Sequence, residues 1–268
     1  MAYTIEYSGL CIQGLVRKKN EDNLCCGGKY LPIIHTDDTA GFSGTFTTGT
    51  GMQFAVFDGL GGESCGEIAS HLAARSFASY EGITKTEKGF AEKAGLISQE
   101  MNRQICSYAK KNRVRNMGTT VAALSFEKEL VQGFNLGDSR CYRLSDGKLR
   151  KISTDHVISD SSAYDGCLTQ CIGHFGGDNP LEPSLYEAAC REKDIYLLCT
   201  DGLTKMISER RIAFILKERI TLPDKLEKMK NIVLRKGAED NTTIILFEIL
   251  KRRKMFGSML TNTFSWIF

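Results

Sequence analysis

Short apolar runs rich in β-branched residues recur along the chain and predict most of its strands. These strand patterns cover residues 3–16, 52–57, 119–126, 130–136, 140–144, 148–152, 184–189, 194–200 and 241–249. The first of them is interrupted near Gly9 and Gly14, which predicts either one or two strands there. Residues 35–50 are rich in glycine and threonine, and residues 153–182 contain several glycines, so both segments are predicted as loops.

Apolar residues at helical spacing predict four helices. The first begins soon after Asp58, where Ser64 and Glu67 have the spacing of a capping box. Its predicted inner face consists of Cys65, Ile68, Ala69, Leu72, Ala73 and Phe77. The other helices are predicted at about 87–111, 209–219 and 223–236, the last with Pro223 in its first turn and Gly237 just past its end.

The order of these elements favours an α+β fold over a parallel α/β fold. Strands are followed by two helices, then by many strands, two more helices and a final strand, without strict alternation. That order suits antiparallel sheets lying between helical layers. No linker divides the pattern, so we expect one domain over residues 1–250, followed by a separate tail at 251–268.

Composition and charge narrow the functional classes. The chain has 268 residues, of which 42% are hydrophobic, enough for a sizeable core. The net charge of +3 is spread along the chain, which argues against a nucleic-acid-binding protein. Neither a signal peptide nor a membrane-spanning apolar stretch is visible, and the ten cysteines do not show zinc-binding spacings. We therefore expect a cytoplasmic protein with reduced thiols.

Four aspartates stand at the edges of apolar runs. Asp22 precedes a short run, Asp58 follows residues 54–57, and Asp201 follows residues 195–200. Asp240 comes just before the last strand pattern. If neighbouring strands are antiparallel, an aspartate that ends one strand lies beside an aspartate that begins the next.

Aspartates gathered in this way repel one another unless a cation lies between them. Oxygen ligands without nearby histidine or cysteine favour magnesium or manganese. The pattern therefore predicts an enzyme of two-metal phosphoryl chemistry.

Seven short motifs in the chain resemble one family when they are taken together. Each alone is a common turn or loop sequence, but all occur in one order. They are Arg17-Lys-Lys-Asn-Glu-Asp22, Asp58-Gly-Leu-Gly-Gly62, Gly118-Thr-Thr120, Asn135-Leu-Gly-Asp-Ser-Arg140, Leu168-Thr-Gln-Cys-Ile-Gly173, Asp201-Gly202 and Gly237-Ala-Glu-Asp-Asn241. Over residues 6–249 the chain resembles the metal-dependent serine/threonine protein phosphatases (the PPM or type-2C class), in particular their bacterial branch.

The resemblance implies a fold and a pair of metal ions. The fold would be a four-layer α-β-β-α sandwich of two antiparallel sheets flanked by antiparallel helix pairs. The two ions would be Mn²⁺ or Mg²⁺, and Asp58 would bridge them. The carbonyl of Gly59 would bind one ion, and Asp201 and Asp240 would hold the other.

The resemblance also assigns roles to residues around that centre. Glu21 and Asp22 would lie beside the ions and act mostly through bound waters. Asp138 matches a residue associated with a weaker third metal ion. Arg17 matches the arginine that binds the phosphate of the substrate.

Elementary chemistry agrees with this assignment. Two ions about 3.5–4 Å apart can share a hydroxide that attacks phosphorus in line, and an arginine fork can hold two phosphate oxygens. We therefore expect hydrolysis of phosphoserine and phosphothreonine in proteins, with no cysteine nucleophile. The alternatives are a catalytically weak relative that binds phosphoproteins as a scaffold, and a metallohydrolase of small phosphoesters.

Two departures from the family pattern affect the proton donor and the third metal ion. Leu60 occupies a position at which many eukaryotic relatives carry histidine, and Glu63 occupies one at which bacterial relatives often carry histidine. The proton for the leaving group would then come from a metal-bound water or from Glu63. The flap segment (residues 154–168) is short, and neither Asp160 nor Asp165 could be matched to a ligand of the third ion.

Partners follow from the same interpretation. We expect phosphorylated protein substrates, a cognate Ser/Thr kinase in a bacterial signalling pathway, no nucleic acid and a monomer. The tail at 251–268 combines a basic cluster with aromatic residues and is too short to cross a bilayer. Packing on its own domain or disorder is the simpler interpretation, and contact with an anionic membrane surface or a partner is the alternative.

Overall fold

The computed structural model describes residues 2–35, 42–50, 52–60, 65–80, 89–159, 164–173 and 180–253. Its strands are β1 (Ala2–Ile12), β2 (Asp22–Cys26), β3 (Lys29–Tyr30), β4 (Phe42–Thr47), β5 (Gln53–Leu60), β6 (Gly118–Thr119), β7 (Val121–Glu127), β8 (Leu130–Leu136), β9 (Arg140–Ser145), β10 (Lys148–Lys151), β11 (Ser184–Ala189), β12 (Ile195–Cys199) and β13 (Thr242–Arg253). Its helices are α1 (Gly66–Ser79), α2 (Phe90–Asn112), α3 (Asp201–Met206), α4 (Glu209–Lys217) and α5 (Leu222–Arg235).

These strands form two antiparallel sheets. The first has the order β10-β9-β12-β13-β1-β4, and the second has the order β11-β8-β7-β5-β2-β3, with β6 paired to β5. The central strand β12 is buried on both faces, and its sequence is a continuous apolar run. In β13, Ile245 and Phe247 point into the space between the sheets, while Ile244 and Leu246 point towards helices.

The core lies in three layers between the sheets and the helices. Aromatic rings fill the space between the sheets, where Phe54 and Phe247 have ring centroids 4.7 Å apart. Helices α1 and α2 cover the outer face of the second sheet, and α3, α4 and α5 cover that of the first. The predicted four-layer α-β-β-α sandwich is confirmed, with one helical layer containing three helices in the part of the chain that is described.

Several element boundaries differ from the prediction. Residues 35–50, predicted as a loop, contain the edge strand β4, which pairs with β1. Strand β1 continues through Gly9, where a break was predicted, because pairing with both β13 and β4 holds it extended. Helix α1 begins at Gly66 with Cys65 as its N-cap, so the predicted capping box is wrong; Ser64 lies outside the described residues.

The C-terminal boundary also differs. Strand β13 continues to Arg253, whose Cα lies opposite that of Ala2 in β1, so the strand enters the segment that was predicted as a tail. The remainder of the tail, residues 254–268, lies outside the described residues. Among the helices that are described, none is both long and apolar enough to cross a membrane.

Candidate metal centre

The ends of neighbouring antiparallel strands bring the four predicted aspartates together. Asp22 begins β2 and lies directly opposite Asp58 of β5. In the other sheet, Asp201 follows β12 and Asp240 precedes β13, and these two strands also pair with each other. The two sheets therefore each place two aspartates at the same end of the sandwich.

A cleft of about 600 Å³ opens at this end. Every predicted site residue except Asp22 lines it, namely Arg17, Glu21, Asp58, Gly59, Asp138, Asp201 and Asp240. Leu60, at one of the positions where relatives carry histidine, is also a lining residue. Glu63, the predicted alternative proton donor, lies outside the described residues.

Asp22 is buried beneath the cleft, with 1% of its surface exposed. Its Oδ2 accepts hydrogen bonds from the hydroxyl groups of Thr200 (2.8 Å) and Thr243 (2.7 Å). Its Oδ1 has no hydrogen-bond partner in the described structure. Burial, with the charges of Asp201 and Asp240, raises the pKa of Asp22 to about 8, although the two hydroxyl groups act against this shift.

Asp58 lies on β5, and hydrogen bonds of its backbone hold it in position. Its N–H donates to the hydroxyl of Thr120, and its carbonyl accepts from the N–H of Thr120 and the hydroxyl of Thr119. The motif at residues 118–120 therefore fixes this strand end. Burial, followed by the charges of Asp22 and Asp201, raises the pKa of the Asp58 carboxyl well above its usual range.

Gly59 is required by the close approach of two other backbone segments. A Cβ at this position would lie 2.2 Å from the carbonyl oxygen of Gly66 and 2.4 Å from that of Glu21. The N–H of Gly59 donates to this same Glu21 carbonyl at 3.1 Å. The start of α1 and the segment before β2 can therefore meet beside Asp58 only because residue 59 has no side chain.

Asp201 and Asp240 are bound to cationic side chains in this structure. The Nζ of Lys205 lies 2.6 Å from Asp201 Oδ2 and 3.1 Å from Asp240 Oδ2. The Nε of Arg17 lies 2.9 Å from Asp240 Oδ1. The Oδ1 of Asp201 is buried and has no hydrogen-bond partner in the part of the chain that is described.

Lys205 was not among the residues predicted from the sequence. It lies four residues after Asp201 on α3, the spacing at which helical side chains meet, but no helix was predicted over these residues. Asn241 was recognised from the sequence only as the last residue of the motif at 237–241. Its side chain accepts from the N–H of Glu21 and donates to the carbonyls of Gln13 and Lys19, so it fixes the segment that carries Arg17.

Asp138 lies at the edge of the cleft on a turn that two side chains support. The N–H of Gly137 donates to Nδ1 of His156, and the hydroxyl groups of Ser139 and Thr120 are 2.7 Å apart. Burial, followed by the charge of Asp201, raises the pKa of Asp138 to about 6. Of the two unmatched flap aspartates, Asp165 is exposed and does not line the cleft, and Asp160 lies outside the described residues.

The donor set of this cleft fits hard divalent cations. Its ligand atoms are carboxylate and carbonyl oxygens, and two buried oxygens, Oδ1 of Asp201 in the cleft and Oδ1 of Asp22 beneath it, have no hydrogen-bond partner in the described residues. The carboxylates do not form a closed ligand cluster as they stand, since no three Asp, Glu, His or Cys side chains in the described ranges are close enough to hold an ion. Arg17 and Lys205 supply positive charge to Asp201 and Asp240 instead.

Comparison with known proteins identifies relatives of this chain and of its fold. A family model described as protein phosphatase 2C matches residues 34–233. The serine/threonine phosphatase Stp of Listeria welshimeri is 31% identical over 208 residues, which cover 72% of this chain and 82% of the relative. The serine/threonine protein phosphatase PstP of Mycobacterium tuberculosis is 26% identical over 259 residues, covering 92% of this chain and 45% of the relative.

A solved structure agrees with these sequence matches. The catalytic domain of PstP, in complex with two manganese ions, superposes with a TM-score of 0.73 at 25% identity. The superposition covers 92% of this chain and 100% of that domain.

Proposed function

The chain belongs to the protein phosphatase 2C family, and we propose that it hydrolyses phosphoserine and phosphothreonine in proteins with the help of two divalent metal ions. The observation that carries this proposal is the gathering of Asp58, Asp201 and Asp240 with Arg17 along one cleft. The two manganese ions of PstP support the proposal, as does the resemblance of the motifs.

In this proposal the strand ends supply the ligands. Asp58 would be a ligand of both ions, the Gly59 carbonyl would bind one of them, and Asp201 and Asp240 would bind the other. A bound pair of divalent ions supplies activated solvent for attack on phosphorus. Asp22 lies too deep to reach the substrate directly, and we propose that it supports the centre from beneath through its unpartnered Oδ1.

Arg17 is the proposed phosphate-binding residue. Its side chain is half exposed at the cleft, and its Nε is held by Asp240. A guanidinium group anchored at Nε is fixed in orientation, which suits recognition of two phosphate oxygens at once. Through this contact the position of the bound phosphate would depend on Asp240, which we propose as a metal ligand.

The direct test of the proposed function is the release of phosphate from a phosphothreonine peptide. We expect release in Mn²⁺ and its loss in a chelator, with recovery when Mn²⁺ is added back. Release that continues unchanged in excess chelator would refute the metal-dependent mechanism.

Arg17→Lys tests the role of the arginine in the same assay. We expect kcat/KM to fall by roughly 10–100-fold, because lysine keeps the charge but not the paired geometry. Arg103→Lys is the matched control, since Arg103 is exposed on α2 and pairs only with Glu100 among the contacts described. Equal activity of the two variants would show that Arg17 does not hold the phosphate.

A further inference from the structure

Lys205 places a single positive charge between two carboxylates that lie beside different strands, Asp201 after β12 and Asp240 before β13. Its Nζ lies 2.6 Å from Asp201 Oδ2, at the start of α3, and 3.1 Å from Asp240 Oδ2, just before β13. These are the two residues proposed above to hold the same metal ion. The ammonium group therefore lies where a cation that bridges these carboxylates would lie.

The fold directs Lys205 to this position. Asp201 and Lys205 are separated by one helical turn, so their side chains lie on the same face of α3. The helix is held tightly against the beginning of β13, since a Cβ on Gly202 would lie 2.0 Å from the carbonyl oxygen of Asn241. That close contact brings Asp240 within reach of the lysine on α3.

Arg17 does not duplicate this arrangement. Its Nε contacts the other oxygen of Asp240, Oδ1, at 2.9 Å, and no contact to Asp201 is described. The two Oδ2 atoms are thus both bound to one group, Lys205, whose side chain is 52% exposed. A half-exposed lysine on a flexible stem can leave the carboxylates without rearrangement of the core.

We propose that Lys205 is an internal counter-ion that competes with the divalent metal ion for Asp201 and Asp240. This inference rests on the proposed function. An incoming ion must break both lysine contacts and must then remain near the displaced positive charge. Lys205 therefore weakens metal binding, while in the metal-free protein it neutralises two neighbouring carboxylates and stabilises the fold.

Calorimetric titration of the full chain with Mn²⁺ tests this competition without the need for a substrate. For Lys205→Gln we expect Mn²⁺ to bind about tenfold more tightly than to the wild type at one or more sites. In chelator the same variant should melt at a lower temperature than the wild type. A lysine with a purely structural role would lower stability in chelator but would not increase the affinity for Mn²⁺.

Two further variants serve as controls. Lys205→Arg keeps the positive charge and should bind Mn²⁺ no more tightly than the wild type. Lys228→Gln removes a lysine of similar exposure that pairs with Glu218, away from the cleft, and should leave Mn²⁺ affinity unchanged. Lys205→Met carries the same prediction as the glutamine variant and replaces it if that variant unfolds in chelator.

The outcomes separate this inference from the proposed function. If the wild type binds Mn²⁺ and both neutral variants bind it equally or more weakly, the competition is refuted and the proposed function stands. If neither the wild type nor the variants bind Mn²⁺, both proposals fail. Failure of both neutral variants to fold in saturating Mn²⁺ also refutes the competition, because a competitor is dispensable when the ion is bound.

Discussion

Replacing Asp58 with asparagine is expected to lower the rate of phosphothreonine hydrolysis about a thousandfold. The asparagine side chain is nearly the same size but carries no negative charge, so it is a poor shared ligand for two divalent ions. Because burial and the nearby negative charges of Asp22 and Asp201 raise the pKa of the Asp58 carboxyl, its removal should not destabilise the metal-free protein. Steady-state kinetics in Mn²⁺, together with thermal melting in chelator, measures both effects.

Asp146→Asn provides the matched control. Asp146 is an aspartate with an 88% exposed side chain, and it lies in the turn between β9 and β10. This variant should retain wild-type rates. An Asp58→Asn enzyme that keeps more than about a tenth of the wild-type rate would show that Asp58 is not the shared ligand.

The stability of the metal-free protein should fall as the pH rises from 5 to 8. In the unfolded chain an aspartate loses its proton near pH 4, whereas burial raises the pKa of Asp22 in the folded protein to about 8. Between these values Asp22 keeps its proton in the folded state but not in the unfolded state, so the contribution of this residue favours unfolding as the pH rises. In chelator we expect the melting temperature to drop by about 10 °C over this range.

Manganese should reverse this trend, because the ions bind the ionised carboxylates and neutralise their repulsion. Asp22→Asn supplies the internal control for the chelated protein. The amide oxygen of the asparagine can still accept hydrogen bonds from Thr200 and Thr243, but the side chain does not titrate. The melting temperature of this variant in chelator should therefore drop less from pH 5 to 8 than that of the wild type. A melting temperature in chelator that is constant or increases from pH 5 to 8 would contradict this assignment.

The sequence predicted the layers and the strand ends beside Asp58, Asp201 and Asp240, because both depend on local apolar patterns, but it did not predict β2, which begins at Asp22. It did not predict β4, whose pattern is interrupted by Gly44. In the structure Gly44 lies opposite Tyr7 of β1, and a Cβ there would lie 2.9 Å from the Tyr7 hydroxyl. The reason for a glycine in this strand is therefore the side chain of Tyr7, a residue distant in sequence that occupies the space of a Cβ.

The candidate site also depends on contacts between residues that are distant in sequence. Asp22 and Asp58 were recognised from their motifs, but the depth of Asp22 depends on Thr200 and Thr243, which lie more than 170 residues away in the chain. Lys205 was missed because the short helix α3 has too few residues for a periodic pattern. Such contacts follow from the packing of the two sheets and not from local sequence.

In the proposed mechanism, Asp58, Asp201 and Asp240 hold a pair of divalent ions. Anomalous diffraction from a crystal soaked in Mn²⁺ measures this directly. We predict two peaks about 3.5–4 Å apart, both within coordination distance of Asp58 and one of them also bound by Asp201 and Asp240. A well-ordered cleft with no peak beside Asp58, or with manganese bound only elsewhere, would show that these aspartates do not form the proposed metal centre.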